Sequence, residues 1–138
     1  VLLNYENYRP CGGTALLDAV GETITEIERQ IAASLIPTTA IIVILTDGYE
    51  NASKKYNLVN IRNMISKLEE TGKWTFSFIG ATLDAVDVAA SMSIKSQNSF
   101  SFEKTEMKNA VWDKLDRSVS SYFTKKSQNR NLNNFFED

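Results

Sequence analysis

The chain has 138 residues, of which 43% are hydrophobic and 23% are charged, and its formal net charge is -2. These values are typical of one globular domain, and they provide no basic surface for nucleic acid. The chain has one cysteine and no histidine, so an internal disulfide and the usual histidine-based zinc and catalytic sites are excluded within it. Its longest apolar run, residues 40–45, is far shorter than the roughly 20 residues that a membrane helix needs.

The first half of the chain alternates between helical and strand patterns. Residues 14–35 are predicted to form an amphipathic helix, ended by Pro37. Its apolar stripe consists of Leu17, Val20, Ile24, Ile27, Ile31 and Leu35. A β-branched apolar run predicts a buried strand over residues 40–46. A second helix is expected to carry Leu58, Ile61, Ile65 and Leu68 and to end at Gly72.

The second half continues the alternation. A strand over residues 74–79 precedes a short helix that Thr82 can cap, with Leu83, Val86 and Ala90 on its inner face. A short edge strand is predicted over residues 98–102, and a last helix over about residues 104–123. Helices that separate strands predict a mainly parallel sheet covered on both faces, a three-layer α/β/α Rossmann-like fold.

One domain is expected to occupy residues 1–124, with no linker inside it. Residues 125–138 are rich in Asn, Lys and Arg, and they are interpreted as a polar tail of low order in which Phe135 and Phe136 could dock.

Two polar positions flank the first helix and the first strand at places where ligands can bind. Gly12 and Gly13 form a turn before Thr14, so the Thr14 hydroxyl is expected at a helix N-terminus. Asp47 follows the buried strand directly and precedes Gly48, at the edge where open α/β sheets bind ligands. Mg²⁺ prefers oxygen ligands and takes one or two carboxylates together with water. Both side chains could face one ion.

The segments Gly-Gly-Thr-Ala-Leu-Leu-Asp-Ala (residues 12–19) and Ile-Ile-Val-Ile-Leu-Thr-Asp-Gly (residues 41–48) carry a family resemblance. They resemble the second and third parts of the metal-ion-dependent adhesion site (MIDAS) of von Willebrand factor type A (vWA) domains, especially bacterial ones. The similarity continues through residues 50–53 and 74–86 to about residue 102.

The resemblance implies roles for individual residues. Thr14 would be a hydroxyl ligand and Asp47 a direct or water-bridged ligand of Mg²⁺, or of Mn²⁺ or Ca²⁺. Gly12, Gly13 and Gly48 would allow the backbone to approach closely. Asp18, one helical turn beyond Thr14, would be a hydrogen-bond acceptor behind the ligands.

The resemblance also implies a protein-binding module rather than an enzyme. Neutral hydroxyl ligands cancel little of the ion's charge, so in this family the ion can accept a carboxylate from a partner protein. We therefore expect a protein partner that presents an acidic residue, no nucleic acid and no membrane segment in this chain. We expect a cytoplasmic location.

The family's first motif, Asp-x-Ser-x-Ser, has no room before the glycine turn, because only residues 1–11 precede Gly12. We therefore expect a fragment that begins in or just after the family's third strand, with residues 1–3 as a remnant of it. Such a fragment would lack the N-terminal strands and bind Mg²⁺ only weakly.

The sequence Asp116-Arg117-Ser118-Val119-Ser120 matches that first motif residue by residue. In a circularly permuted relative it would take the place of the missing motif. The spacing of Val111, Leu115 and Val119 instead indicates a helix. A helix would place Ser118 and Ser120 about 200° apart, so they could not share a metal ion.

Simpler interpretations stay open for each site residue. Thr14 alone could be a helix cap, and Asp47 with Gly48 could be an ordinary turn after a strand. Glu50 and Asn51 are expected to be solvated loop residues, with contact to the ligand as the alternative.

Two alternatives to a metal-dependent binding module also stay open. One is an aspartate-dependent phosphatase that uses Asp47 as its nucleophile. Such chemistry usually needs a second carboxylate two positions later, where this chain has tyrosine, and a lysine, for which Lys54, Lys55 and Lys73 are available. The other is a vWA scaffold without a working metal site.

Overall fold

A computed structural model describes residues 12–81, 84–102, 110–128 and 135–136 of the chain. Helices and strands alternate along these residues. The elements are α1 (Leu16–Ala33), β1 (Ala40–Thr46), α2 (Leu58–Glu70), β2 (Trp74–Gly80), α3 (Ala85–Ser91), a 3₁₀ turn (Ser96–Asn98), β3 (Ser99–Ser101) and α4 (Ala110–Ser127).

The three strands form one parallel sheet in the order β1-β2-β3. Ala40 pairs with Trp74 and Thr46 with Gly80, so β1 and β2 match along their whole length. Parallel strands end at a common edge, and the Ala81 amide donates to the Thr46 carbonyl at 3.0 Å there. This arrangement confirms the predicted Rossmann-like α/β fold class and its parallel sheet.

The first face of the sheet is covered by α1, α2 and α3. Alternate strand residues point to it, as the two-residue period of a strand requires. They are Ala40, Ile42, Ile44, Trp74, Phe76 and Phe78, and they pack with Leu16, Val20, Ile24, Ile61, Ile65, Leu68, Ala85 and Ala89. Trp74 and Phe76 are therefore core residues.

The second face is covered by α4 and by the described residues near the C-terminus. Its buried residues are Ile79, Phe102, Val111, Tyr122, Phe135 and Phe136, with Ile41, Val43 and Leu45 of β1 packed against them. Helices on one face and a helix with aromatic residues on the other give three layers, as expected.

The predicted stripe of the first helix is too long at its C-terminal end and misses one buried residue. The helix ends at Ala33, Ser34 is extended, and Leu35 is fully exposed. Leu16 is buried, whereas Leu17 is only partly buried at the rim of the core. A similar shift occurs in α3, where the inner face consists of Ala85 and Ala89 rather than Val86 and Ala90.

The boundaries of α2 have local causes. The Asn57 side chain accepts a hydrogen bond from the Asn60 amide, and the Asn60 side chain accepts one from the Asn57 amide, which forms a capping box. Gly72 follows the helix with a φ of 67°, a conformation that glycine adopts without strain. The predicted stop at Gly72 is confirmed.

The last helix contains the Asp-x-Ser-x-Ser match. Ser118 is buried and Ser120 is exposed on α4, so the helical interpretation of residues 116–120 is confirmed. The helix continues to Ser127, into the segment predicted as a polar tail.

Some expectations concern residues outside the described ranges. These are the remnant at residues 1–3, the Thr82 cap, Leu83 and the part of the last helix before residue 110. Among the described residues, no helix combines the length and apolar character needed to cross a bilayer.

Candidate metal centre

The two segments that carry the predicted ligands meet at the carboxyl end of β1. Asp47 follows the last strand residue, and the Thr46 hydroxyl accepts from the Gly48 amide at 3.2 Å and donates to the Gly48 carbonyl at 3.0 Å. A Cβ atom placed on Gly48 would lie 2.8 Å from the Thr14 hydroxyl oxygen. A larger residue at position 48 would therefore displace Thr14, and glycine permits the approach.

Thr14 does not cap α1. The N-cap residue is Ala15, which makes no side-chain cap hydrogen bond, and Thr14 precedes it. The simpler interpretation of Thr14 as a helix cap is therefore wrong. A hydroxyl that lies before the helix and next to Gly48 can be directed to the end of the strand instead.

Glu50 satisfies the helix N-terminus from across the chain. One carboxylate oxygen accepts from the Leu17 amide at 2.8 Å and the Ser53 hydroxyl at 2.7 Å. The other accepts from the Ala52 amide at 3.1 Å and the Ser53 amide at 2.8 Å. Partial burial alone would raise the pKa of Glu50, but the bonds from Ser53, Leu17 and Ala52 outweigh it and hold the pKa below its ordinary value. The expectation that Glu50 is a solvated loop residue is wrong.

Asn51 bonds to both sides of the Thr14 backbone. Its side-chain oxygen accepts from the Thr14 amide at 2.8 Å, and its own amide donates to the Thr14 carbonyl at 3.0 Å. Gly13 lies against Ala52, where an added Cβ would come within 3.0 Å of the alanine side chain. Gly12 has a φ of 71°, which glycine adopts readily. Both glycines thus serve the turn that leads to Thr14. Asn51 is exposed, as expected of a solvated loop residue, and it also bonds to Thr14.

Asp18 orders the loop between β1 and α2, residues 47–57, which we call the β1–α2 loop. Its carboxylate accepts from the amides of Lys54 at 2.8 Å, Lys55 at 2.9 Å and Tyr56 at 2.8 Å. The amides of Lys54 and then Tyr56 are the main cause of a lowered pKa of Asp18. Its amide donates to the Ser53 hydroxyl at 3.0 Å. The hydrogen bonds of Asp18 therefore hold this loop against α1. Its expected role as a hydrogen-bond acceptor behind the metal ligands stays a prediction.

The donor set suits a hard cation that keeps water. Thr14 offers a neutral oxygen, and Asp47, an exposed residue, offers a carboxylate. Among the residues that the structure describes, no group of three or more His, Cys, Asp or Glu side chains could hold a metal ion. Thr14 and Asp47 are thus the two oxygen donors that could hold an ion here, and Mg²⁺ usually keeps several waters beside one or two carboxylates.

The lysines considered for a phosphatase lie in different places. Lys73 precedes β2 at the amino end of the sheet, where its carbonyl accepts from the Ala40 amide. The length of β1, about 20 Å for seven residues, separates this position from Asp47. Lys55 forms an ion pair with Glu22 at 3.3 Å.

Comparison of the chain with protein-family models, curated proteins and solved structures finds no match. The likeness to vWA domains therefore rests on the motifs in residues 12–102 alone.

Sequence reasoning placed Thr14 and Asp47 near the carboxyl end of β1 and missed the hydrogen bonds that Glu50 and Asn51 make to Leu17 and Thr14. Glu50 and Asn51 bond to Leu17 and Thr14, which lie more than thirty positions earlier. No signal in the sequence indicated these contacts, because the start of the helix after Ala15, whose first amides need acceptors from elsewhere, became apparent only in the structure.

Proposed function

We propose that the chain is a vWA-like, metal-dependent protein-binding module in which Thr14 and Asp47 bind Mg²⁺, or Mn²⁺ or Ca²⁺. The observation that carries the proposal is the contact of the Thr14 hydroxyl with Gly48, beside Asp47 at the carboxyl edge of β1. Two segments distant in sequence thus bring oxygen donors to the edge where α/β sheets bind ligands.

Each residue has a distinct role in this proposal. Asp47 supplies the negative charge that attracts the ion, and Thr14 adds an oxygen without adding charge. A bound ion would keep enough Lewis acidity to accept a carboxylate of a protein partner. The proposed activity is therefore binding rather than catalysis, and the proposed location is the cytoplasm.

The first test is the substitution Asp47→Asn, which removes the charge and nearly preserves the size of the side chain. Mn²⁺ is the probe, because its unpaired electrons broaden the NMR signals of nearby nuclei even when it binds weakly. We expect broadening at Thr14, Asp47 and Gly48 in the wild type and its loss in Asp47→Asn. Melting temperatures in chelator should be nearly equal, since the change keeps the size of the side chain at an exposed position.

The matched control is Asp116→Asn, the same change at an exposed position on α4. It should leave the broadening unchanged. Tight, stoichiometric binding of Mg²⁺ by the 138 residues in calorimetry would contradict a site with two protein ligands.

Partner binding is tested with an array of neutral peptides that each carry one Asp or Glu. We expect binding in Mg²⁺, none in chelator and none with Asp47→Asn. Absence of any metal-dependent signal in the wild type would favour the scaffold without a working site. Hydrolysis of p-nitrophenyl phosphate that is lost in Asp47→Asn would favour the phosphatase.

A further inference from the structure

Thr14 has no helical hydrogen bond to fix its conformation, because α1 begins after Ala15. Its backbone is instead held by Asn51, which accepts from its amide at 2.8 Å and donates to its carbonyl at 3.0 Å. This paired contact resembles one rung of a strand ladder. The position of the Thr14 side chain therefore depends on the position of Asn51.

Asn51 in turn depends on Glu50. The Glu50 carboxylate accepts four hydrogen bonds, three from Ala52 and Ser53 within its own loop and one from Leu17 in α1. These bonds curl the β1–α2 loop and attach it to the first turn of the helix. Asn51 lies between Glu50 and Ala52, so the same curl directs it to Thr14.

We infer that Glu50 and Asn51 are positioning residues for the metal centre, which hold the Thr14 hydroxyl against Gly48 and so set its place beside Asp47. The inference rests on the proposed function. Neither side chain needs to touch the ion, because each acts through Thr14.

The chemistry of Glu50 suggests a sharp variant. All four groups that bond to its carboxylate are donors. Glu50→Gln keeps the shape but replaces one acceptor oxygen with an NH₂ group, which cannot accept from an amide or hydroxyl donor. Whichever way the Gln amide is turned, at least one backbone amide, either that of Leu17 or those of Ala52 and Ser53, loses its acceptor, and the segment that carries Asn51 should loosen.

The experiment compares Glu50→Gln and Asn51→Ala with two controls. Glu69→Gln makes the same change at a half-buried carboxylate in α2, which accepts one bond from the Phe76 amide at 3.4 Å. Asn57→Ala removes a helix cap in the same loop, away from Thr14. Asn51→Asp, measured only in chelator, keeps the acceptor oxygen and should restore the contact.

Two measurements are made on each protein, except that Asn51→Asp receives only the first. In chelator, the nuclear Overhauser effect (NOE) between the Thr14 methyl group and the Gly48 α protons reports the contact, because the methyl carbon lies 3.9 Å from the Cβ position of Gly48. With Mn²⁺, signal broadening reports relative metal affinity. We expect both positioning variants to lose the NOE and roughly 10- to 100-fold in Mn²⁺ affinity, as is typical when groups that orient metal ligands are removed.

The outcomes separate the inference from the proposed function. An NOE that persists in both variants overturns the inference, and so does an NOE that is lost without a change in Mn²⁺ affinity. Glu69→Gln and Asn57→Ala must keep both signals, since their loss would indicate a general effect of destabilisation. Absence of Mn²⁺ broadening in the wild type overturns the proposed function and the metal role of Glu50 and Asn51 with it. If Glu50→Gln does not fold, Asn51→Ala decides.

Discussion

The two faces of the sheet are stabilised by different chemistry. On the first face, aliphatic stripes of α1 and α2 pack on the strands, and the carboxylates of Asp18 and Glu50 attach the β1–α2 loop to the helix. On the second face, aromatic rings dominate, and the hydrogen bonds between elements include neutral pairs. Thr75 bonds to Tyr122 at 2.9 Å, and the Phe135 amide donates to Asn98 at 2.7 Å.

This difference indicates a division of labour. The carboxylates of Asp18 and Glu50 attach the loop beside the candidate metal centre on the first face, so this loop should respond to acid and, under the proposed function, to metal. The second face is built by residues distant in sequence, such as Ile79 and Phe135, and contains no predicted ligand. It should control stability without controlling the site.

Phe135→Ala should give the largest effect and tests whether the second face belongs to the fold. Phe135 is 2% exposed and packs near Tyr122 and Phe136, with ring centroids 6.1 Å and 4.9 Å away. We expect a loss of about 3 to 5 kcal/mol in the free energy of unfolding, measured with urea. Ile24→Ala, at a fully buried position on the first face, should cost about 2 to 5 kcal/mol. Leu17→Ala, at a half-buried position, should cost less than Ile24→Ala. A cost below about 1 kcal/mol for Phe135→Ala would mean that the second face contributes little to the stability of the fold.

Gly21→Ala should give the next largest effect. A Cβ at this position would lie 2.6 Å from the ring of Tyr56, which Asp18 holds through its amide. Overpacking costs of about 1 to 3 kcal/mol should exceed the gain of about 1 kcal/mol that alanine brings to a helix. In a Tyr56→Ala background, Gly21→Ala should become stabilising. The same sign in both backgrounds would contradict the contact.

The acid response should sharpen the comparison between the faces. The pKa values of Asp18 and Glu50 are lowered in the folded chain, from ordinary values of 3.8 and 4.5. Their contribution to stability is therefore fully present above about pH 4.5 and is lost as pH falls through the folded values. Urea unfolding from neutral to acid pH should show this loss, with a smaller slope in Asp18→Asn. NMR signals of the β1–α2 loop should shift before those around Tyr122, and the reverse order would contradict the division between the faces.

The sequence supported the fold better than the site, for a physical reason. Helical and strand periods are local, so the strand over residues 40–46 and the helix stop at Gly72 could be predicted. The paired burial of Phe135 with Asn98 could not, because no period links residues 37 positions apart. The end of the helix at Ala33 leaves Leu35 exposed, and packing buries Leu16, whereas the helical spacing had favoured Leu17 and Leu35.

The site shows the same limit. Gly48 and Thr14 could be assigned to one place from the sheet edge rule and the motif resemblance. The roles of Glu50 and Asp18 depend on a loop that folds back on α1, and polar residues in a loop are usually solvated. The first amides of α1 need hydrogen-bond acceptors, but nothing in the sequence indicated which residues would supply them.

The smallest expected effect concerns the two serines of α4. Ser118 is 2% exposed and Ser120 is exposed, on a helix that covers the second face. Replacing both with alanine should change the free energy of unfolding by less than about 1 kcal/mol, since alanine favours helix and the volume lost is small. Because the candidate metal centre lies at the carboxyl edge of β1, the double variant should keep the Mn²⁺ broadening at Thr14 and Asp47. Loss of that broadening, with the fold intact, would mean that the match at residues 116–120 acts as the family's first motif despite its helical geometry. The division between a face that stabilises and a face that positions the site would then fail.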